Sequence, residues 1–366
     1  MLVYELIQIA VNNRSELSVV PSEKDWTSIY LYSQKQSIVG ICFYGVQQYI
    51  SNLFDSKGTL DFDEQWLSEI RLPVELYYTW LSQVLLIQEE QDHNTRVSRD
   101  IWRQATMQNY SASIIKGSSL ARHYGPLIQY RQSGDIDLWI NSSPQECINW
   151  ARTICPVLFY DYHHADIRLW QGVPIEVHYR PTISRNLIRN NRIQKYLISE
   201  SECDFCENLG FAVPSYSVEI IIIINHIFWH LLFGGVGLKQ VMDLYFVLVD
   251  NKNCQKDITP LLKWLKLRKI SGALMWVLAE TCNLNKEYFL CAPDEARGKF
   301  LLSEINHSGN MGKFSKKVCQ CSHNKLSIFI NSIFYSFRMV KHFPGEVIWN
   351  PIGMVYFSIW KRIRLK

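Results

Sequence analysis

Asp135 and Asp137 are the residues in this chain whose type and spacing point most directly to chemistry. They sit in Asp135-Ile136-Asp137-Leu138, and the apolar run through Trp139 and Ile140 reads as a strand. Residues two apart in a strand project to the same face. Two carboxylates held together repel unless a cation lies between them. Oxygen-only ligands favour a hard divalent ion, which leads to an expectation of Mg²⁺ or Mn²⁺. Upstream, the apolar Ser113-Ile114-Ile115 leads into Lys116-Gly117-Ser118, and a helix-like stretch follows from Ser118 to Tyr124. A strand, a Gly-Ser turn and a helix start together make an anion site suited to phosphates. Ser118 also suits a plain helix N-cap, a role compatible with the first.

Sixteen residues separate Ser118 from Asp135. Over residues 112–181 the pattern KGSSLARHYGPLIQYRQSGDIDLWI followed by IEVHYRP resembles the DNA polymerase β-like nucleotidyltransferase superfamily. More narrowly, it resembles a bacterial family of uncharacterised nucleotidyltransferases. The resemblance implies that Asp135 and Asp137 hold metal and that Glu176, in Pro174-Ile175-Glu176-Val177-His178, supplies the third carboxylate. It further implies that Lys116, Gly117, Ser118 and Arg131 contact the triphosphate. A weaker match, Gly235-Val236-Gly237-Leu238-Lys239-Gln240 with Asp243, adds Lys239 and Asp243 as nucleotide-binding candidates. These two are four apart on one expected helix face, where they also suit a simple ion pair. His178 is expected on the face of Glu176, as a ligand, a substrate contact or a structural partner.

The elements that must position these groups can be placed coarsely. Residues 1–108 read as a helical platform, with apolar spacing of three and four in Trp26–Tyr32 and Val39–Ile50. Pro73 opens a helix over 74–88, and a polar helix is expected over 89–108. Residues 109–195 alternate as a compact α/β core: a strand at 112–116, the 118–124 helix, the Asp-x-Asp strand, a helix opened by Pro144, then strands at 159–170 and 173–179. Gln171-Gly172 suits a tight hairpin turn between the last two. Residues 196–366 read as mostly helical, with a long apolar helix ending near Gly234-Gly235 and another over 238–249. The expected class is α+β, a small mixed sheet flanked by helical regions.

Composition narrows the rest. With 366 residues, 48% apolar and 20% charged, the chain is globular rather than disordered. A net charge of +4 gives no support to nucleic acid as a partner. The ten cysteines lie mostly in apolar stretches and no secretory leader is evident, so free thiols in the cytoplasm are expected. Cys203-x-x-Cys206 with Cys319, Cys321 and His323 fits no common zinc module. His226 and His230 stand four apart, a metal-compatible spacing without a third ligand. Charged and polar residues interrupt the apolar run from Val218 to Leu238, so a buried helix is expected rather than a membrane span. The apolar stretch 347–360 before Lys361-Arg362-Ile363-Arg364 is expected to pack on its own domain, with contact to a membrane surface as the alternative.

The function expected is Mg²⁺-dependent transfer of NMP from an NTP, ATP among the candidate donors, to an unidentified acceptor: a small molecule, sugar, protein or RNA end. The alternative is a non-catalytic nucleotide- or partner-binding module that retains the fold. A tRNA-modifying enzyme is a third reading, disfavoured by the charge.

Overall fold

The computed structural model describes residues 1–54, 64–233, 235–252, 255–310 and 325–365. It opens with five helices: α1 (Leu2–Ala10), α2 (Glu23–Gln36), α3 (Val39–Phe54), α4 (Glu64–Glu69) and α5 (Val74–Met107). There follow β1 (Ala112–Ile115), α6 (Gly117–Ala121), β2 (Ile136–Ile140), α7 (Pro144–Ile154), β3 (Val157–Tyr160), β4 (His164–Trp170), β5 (Val173–His178) and α8 (Leu187–Ser199). A short hairpin, β6 (Asp204–Cys206) and β7 (Phe211–Val213), leads to α9 (Tyr216–Phe233) and α10 (Leu238–Asp250). The remainder is α11 (Gln255–Trp264), α12 (Arg268–Cys282), α13 (Glu295–Ser308), α14 (Lys325–Phe337) and α15 (Pro344–Arg364). The class is α+β.

The main sheet runs in the order β1-β2-β5-β4-β3. β2 pairs with β5 in parallel and every other pair is antiparallel, so the sheet is mixed. Strand alternation then decides which residues meet. Ile136, Leu138 and Ile140 of β2 and Ile175 and Val177 of β5 join one core with α7. Asp137 and Trp139, and Glu176 and His178, take the opposite face by the two-residue period. Gln171 and Gly172 both have positive φ, 52° and 83°, the backbone a two-residue hairpin turn needs.

α5 is the longest helix, at 34 residues, and it joins the two apolar cores. Its first half puts Tyr77, Trp80, Val84 and Ile87 into a core shared with α1–α3, α9, α10 and α12. Its second half gives Val97, Ile101 and Ala105 to the core under the sheet. The sequence reading split this helix at residue 88. The apolar positions continue across the polar run because Gln91, Asn94 and Ser98 are buried there too.

Two further expectations are corrected. The strand read over 159–170 is two strands, β3 and β4, separated by the turn at Asp161-Tyr162-His163. There the Asp161 carboxylate accepts from the backbone N–H groups of His163 and His164, a local bond that competes with the ladder. The helix read over 118–124 stops at Ala121 and passes into a 3₁₀ segment, Arg122–Tyr130, broken at Gly125 (φ 52°).

Candidate active site

β1 ends at Ile115, and the backbone of Lys116 takes φ 52°, ψ −147°. Such a conformation costs a residue with a Cβ on the order of 1–3 kcal/mol and persists where the surroundings enforce it. Here the turn delivers the Lys116 ammonium to Asp137: Nζ stands 2.6 Å from Oδ1. The β1–β2 register pairs Ile115 with Asp137, which places the lysine one step beyond the carboxylate's partner.

Asp137 lies directly across from Glu176 in the parallel β2–β5 register. His178 Nε2 reaches both, 2.7 Å from Asp137 Oδ1 and 3.1 Å from Glu176 Oε2. Burial works against the charge on Asp137, but Lys116 and His178 overcome it and hold the carboxyl below its ordinary range. Glu176 is held far lower, against burial, by His178, His164 and Lys116. Asp135 precedes β2 rather than lying within it, at the open edge of the cleft. Partial desolvation there, then the charges of Asp137 and Glu176, raise its pKa to about 6. The two aspartates thus sit in opposite electrostatic states.

These groups line a cleft of ≈ 690 Å³. Lys116, Gly117 and Arg131 line it beside the carboxylates, and Lys239 faces them from the first turn of α10. Among the described residues Lys239 makes no hydrogen bond or ion pair; burial, then Arg131, lower its pKa to about 8. A Cβ on Gly134, next to Asp135, would lie 4.0 Å from its Nζ. Asp243 does not pair with Lys239. It takes a two-pronged bond from Arg131, Nε to Oδ1 at 2.8 Å and Nη2 to Oδ2 at 3.0 Å, and a third from the Tyr124 hydroxyl at 2.7 Å. Arg131 Nη1 is buried with no hydrogen-bond partner among the described residues. The Ser118 hydroxyl is turned away from the cleft and donor-acceptor paired with that of Ser98 at 3.0 Å.

The opposite wall comes from α9, through Ile223, His226, Trp229 and His230. The two imidazole rings stand 4.3 Å apart, and burial holds both below the ordinary histidine range. Cys203 and Cys206 are free thiols that do not line the cleft, and Cys319, Cys321 and His323 lie outside the described residues.

Among the described residues three groupings of side chains bring ligand atoms within 4.8 Å of one another: Asp137, Glu176 and His178; His164, Asp166 and Glu176; and His163, His164 and His178. The first could hold a divalent cation, since the carboxylates of Asp137 and Glu176 converge there with the His178 imidazole. His163 and His164 were faint in the sequence because adjacent residues in a strand alternate faces. The turn at 161–163 cancels that alternation and stacks their rings edge to face at 4.0 Å. Glu219 was hidden as well, one charge within the apolar α9. Buried at 2% exposure, it accepts from Ser119 Oγ (3.0 Å) and from Arg122 Nη1 and Nη2 (2.6 and 2.8 Å), and lies 2.9 Å from His123 Nε2. It anchors the segment that follows the Lys116-Gly117 turn.

Two carboxylates facing each other on adjacent strands, with a third just before the first strand and lysine and arginine beside them, form a set of groups that could hold a hard cation and phosphates. The chain belongs to the family described as uncharacterised nucleotidyltransferase, whose model matches residues 22–283. No curated protein and no solved structure matches it.

Proposed function

We propose that the cleft transfers a nucleoside monophosphate from an NTP to an acceptor hydroxyl or phosphate, with a divalent metal, Mg²⁺ or Mn²⁺, as cofactor. The observation that carries this reading is the facing pair Asp137 and Glu176, with Asp135 at the mouth of the same strand pair. In the reaction the acceptor oxygen bonds to the α-phosphorus, the bond from that phosphorus to the bridging oxygen breaks, and pyrophosphate leaves.

Asp135, Asp137 and Glu176 would hold the metal, which when bound neutralises charge on the phosphates. Lys116 and the Gly117 N–H would meet the phosphates at the turn; the Ser118 hydroxyl fixes that turn through Ser98. Lys239 and Arg131 Nη1 would offer positive charge to the triphosphate, each a donor otherwise unbonded among the described residues. Asp243 would act through Arg131, orienting its guanidinium. The proton of an acceptor hydroxyl would pass to one of the carboxylates that line the cleft.

Calorimetric titration of the four NTPs, each with and without Mg²⁺, tests the reading. Metal-dependent binding of at least one NTP, lost in Asp137→Asn, is the expected result. Absence of binding by the parent protein with every NTP would defeat it.

A further inference from the structure

Charge is unevenly distributed along this chain. Residues 311–366 contain ten lysines and arginines and one acid, Glu346, while the whole chain nets only +4. Residues 1–310 therefore carry 28 basic and 33 acidic side chains, a net of −5. The single acid of the basic segment is also spent internally: Glu346 is buried and its carboxylate lies 2.7 Å from Arg189 Nη2.

α15 has two distinct faces. One docks on the protein. Asn350 accepts from Arg185 Nη1 at 3.0 Å, Phe357 stacks on Tyr162 at 4.0 Å, and Trp360 meets Arg180 at 4.6 Å. A Cβ on Gly353 would lie 2.5 Å from the Arg185 carbonyl oxygen, so the helix approaches there as closely as only glycine permits. Positions 346, 350, 353, 357 and 360 thus form one stripe at about 100° per residue. The second stripe lies roughly opposite: Ile348, Ile352, Val355, Ile359 and Ile363, each 46–65% exposed. Isolated exposed apolar residues are ordinary, but five branched side chains in one helical row are not. α14 packs beside α15 and leaves Phe334 and Phe337 more than half exposed. Arg362 and Arg364 are exposed at the end of the row, with Lys341 exposed at the start of the α14–α15 connection.

No described helix is long and apolar enough to cross a membrane. A row of apolar side chains with cations around it and no free acid matches instead the surface of an anionic bilayer, with the helix lying in the interface plane. We propose that α15, with α14 beside it, docks this protein on anionic lipid: the isoleucine–valine stripe enters the acyl boundary and Arg362, Arg364 and Lys341 meet the headgroups. The proposal is independent of the reaction assigned to the cleft.

Flotation with phosphatidylcholine vesicles, with and without phosphatidylglycerol, tests it. The full chain is expected to float with the anionic vesicles only and to be released by raised salt. Arg362→Glu/Arg364→Glu should lower the bound fraction more than tenfold, at roughly fivefold per lost cation, and Ile352→Glu/Ile359→Glu should abolish it. All four positions are solvent-facing, so the melting temperature and NTP binding should be unchanged in both variants; this separates loss of docking from loss of folding. Failure to float with anionic vesicles, or equal binding to both kinds, would overturn the proposal. So would concentration-dependent self-association of the parent protein that Ile352→Glu/Ile359→Glu removes, which would assign the stripe to a second copy of the chain.

Discussion

Lys116 Nζ and His178 Nε2 both reach the same oxygen, Oδ1 of Asp137, at 2.6 and 2.7 Å. The carboxylate that is expected to bind metal is thus already bonded from two sides, by an ammonium and an imidazole, while Asp135 makes no such bond among the described residues. That asymmetry separates the consequences of altering each aspartate.

Asp135→Asn and Asp137→Asn should each lower metal-dependent turnover by at least about a hundredfold, as loss of charge stabilisation at a reacting centre does. Their stabilities should differ. Asp135→Asn removes repulsion and should leave the melting temperature unchanged or raised. Asp137→Asn leaves the Lys116 ammonium and His178 against a neutral amide and should cost about 1–3 kcal/mol. Thermal melts of both variants decide the matter, and equal melting temperatures would contradict the pairing.

Metal affinity should depend on pH through Asp135. With a pKa of about 6 this carboxyl holds a proton below pH 6, and metal must displace it. Mn²⁺ binding measured between pH 5 and 8 should therefore weaken on acidification, approaching about tenfold per pH unit below 6 for one displaced proton. In Asp135→Asn the remaining affinity should vary far less over the same interval.

Lys239 titrates on the alkaline side. Burial lowers its pKa to about 8, so it is charged below pH 8 and loses its charge above it. NTP affinity should fall as pH rises through 8. Lys239→Met should weaken binding at pH 7 by about 1.5–3 kcal/mol, the range for a hydrogen bond to a charged group, and should flatten the alkaline decline. A decline that persists unchanged in the variant would assign it to another group.

Glu219→Ala tests the support behind the turn. It leaves Arg122 and buried His123 without their shared carboxylate, and breaking such a buried pair costs about 3–5 kcal/mol. Chemical denaturation gives the magnitude. Because Glu219 also bonds Ser119 Oγ, NTP affinity should drop even where the variant is fully folded.

Much of this was open to reading along the chain. The α+β class and the family follow from local patterns: a Gly-Ser turn, carboxylates two apart, a Glu-x-His strand, and helical spacing on either side. Each is a short-range feature, spanning a few residues whose geometry is set by strand and helix periods. Gln171-Gly172 is likewise local, and its positive φ values place the hairpin between β4 and β5.

Where reading failed, the deciding contact was distant. The polar half of α5 continues as helix because Asn94 donates to the Gly134 carbonyl at 2.8 Å, a partner 40 residues away. Asp243 bonds Arg131, 112 residues away, rather than its helical neighbour Lys239. The exposed row on α15 is apolar in sequence and so reads as core; only the packing of its other face on Tyr162 and Arg185 turns it to solvent. The sequence by itself determined the secondary structure periods and the donor types, because those depend on neighbours in the chain. Which donors share one cleft, and which carboxylate is bonded from two sides, was decided by the tertiary structure, because pairing and burial depend on residues that only the β2–β5 register and the closure of α9 and α10 bring together.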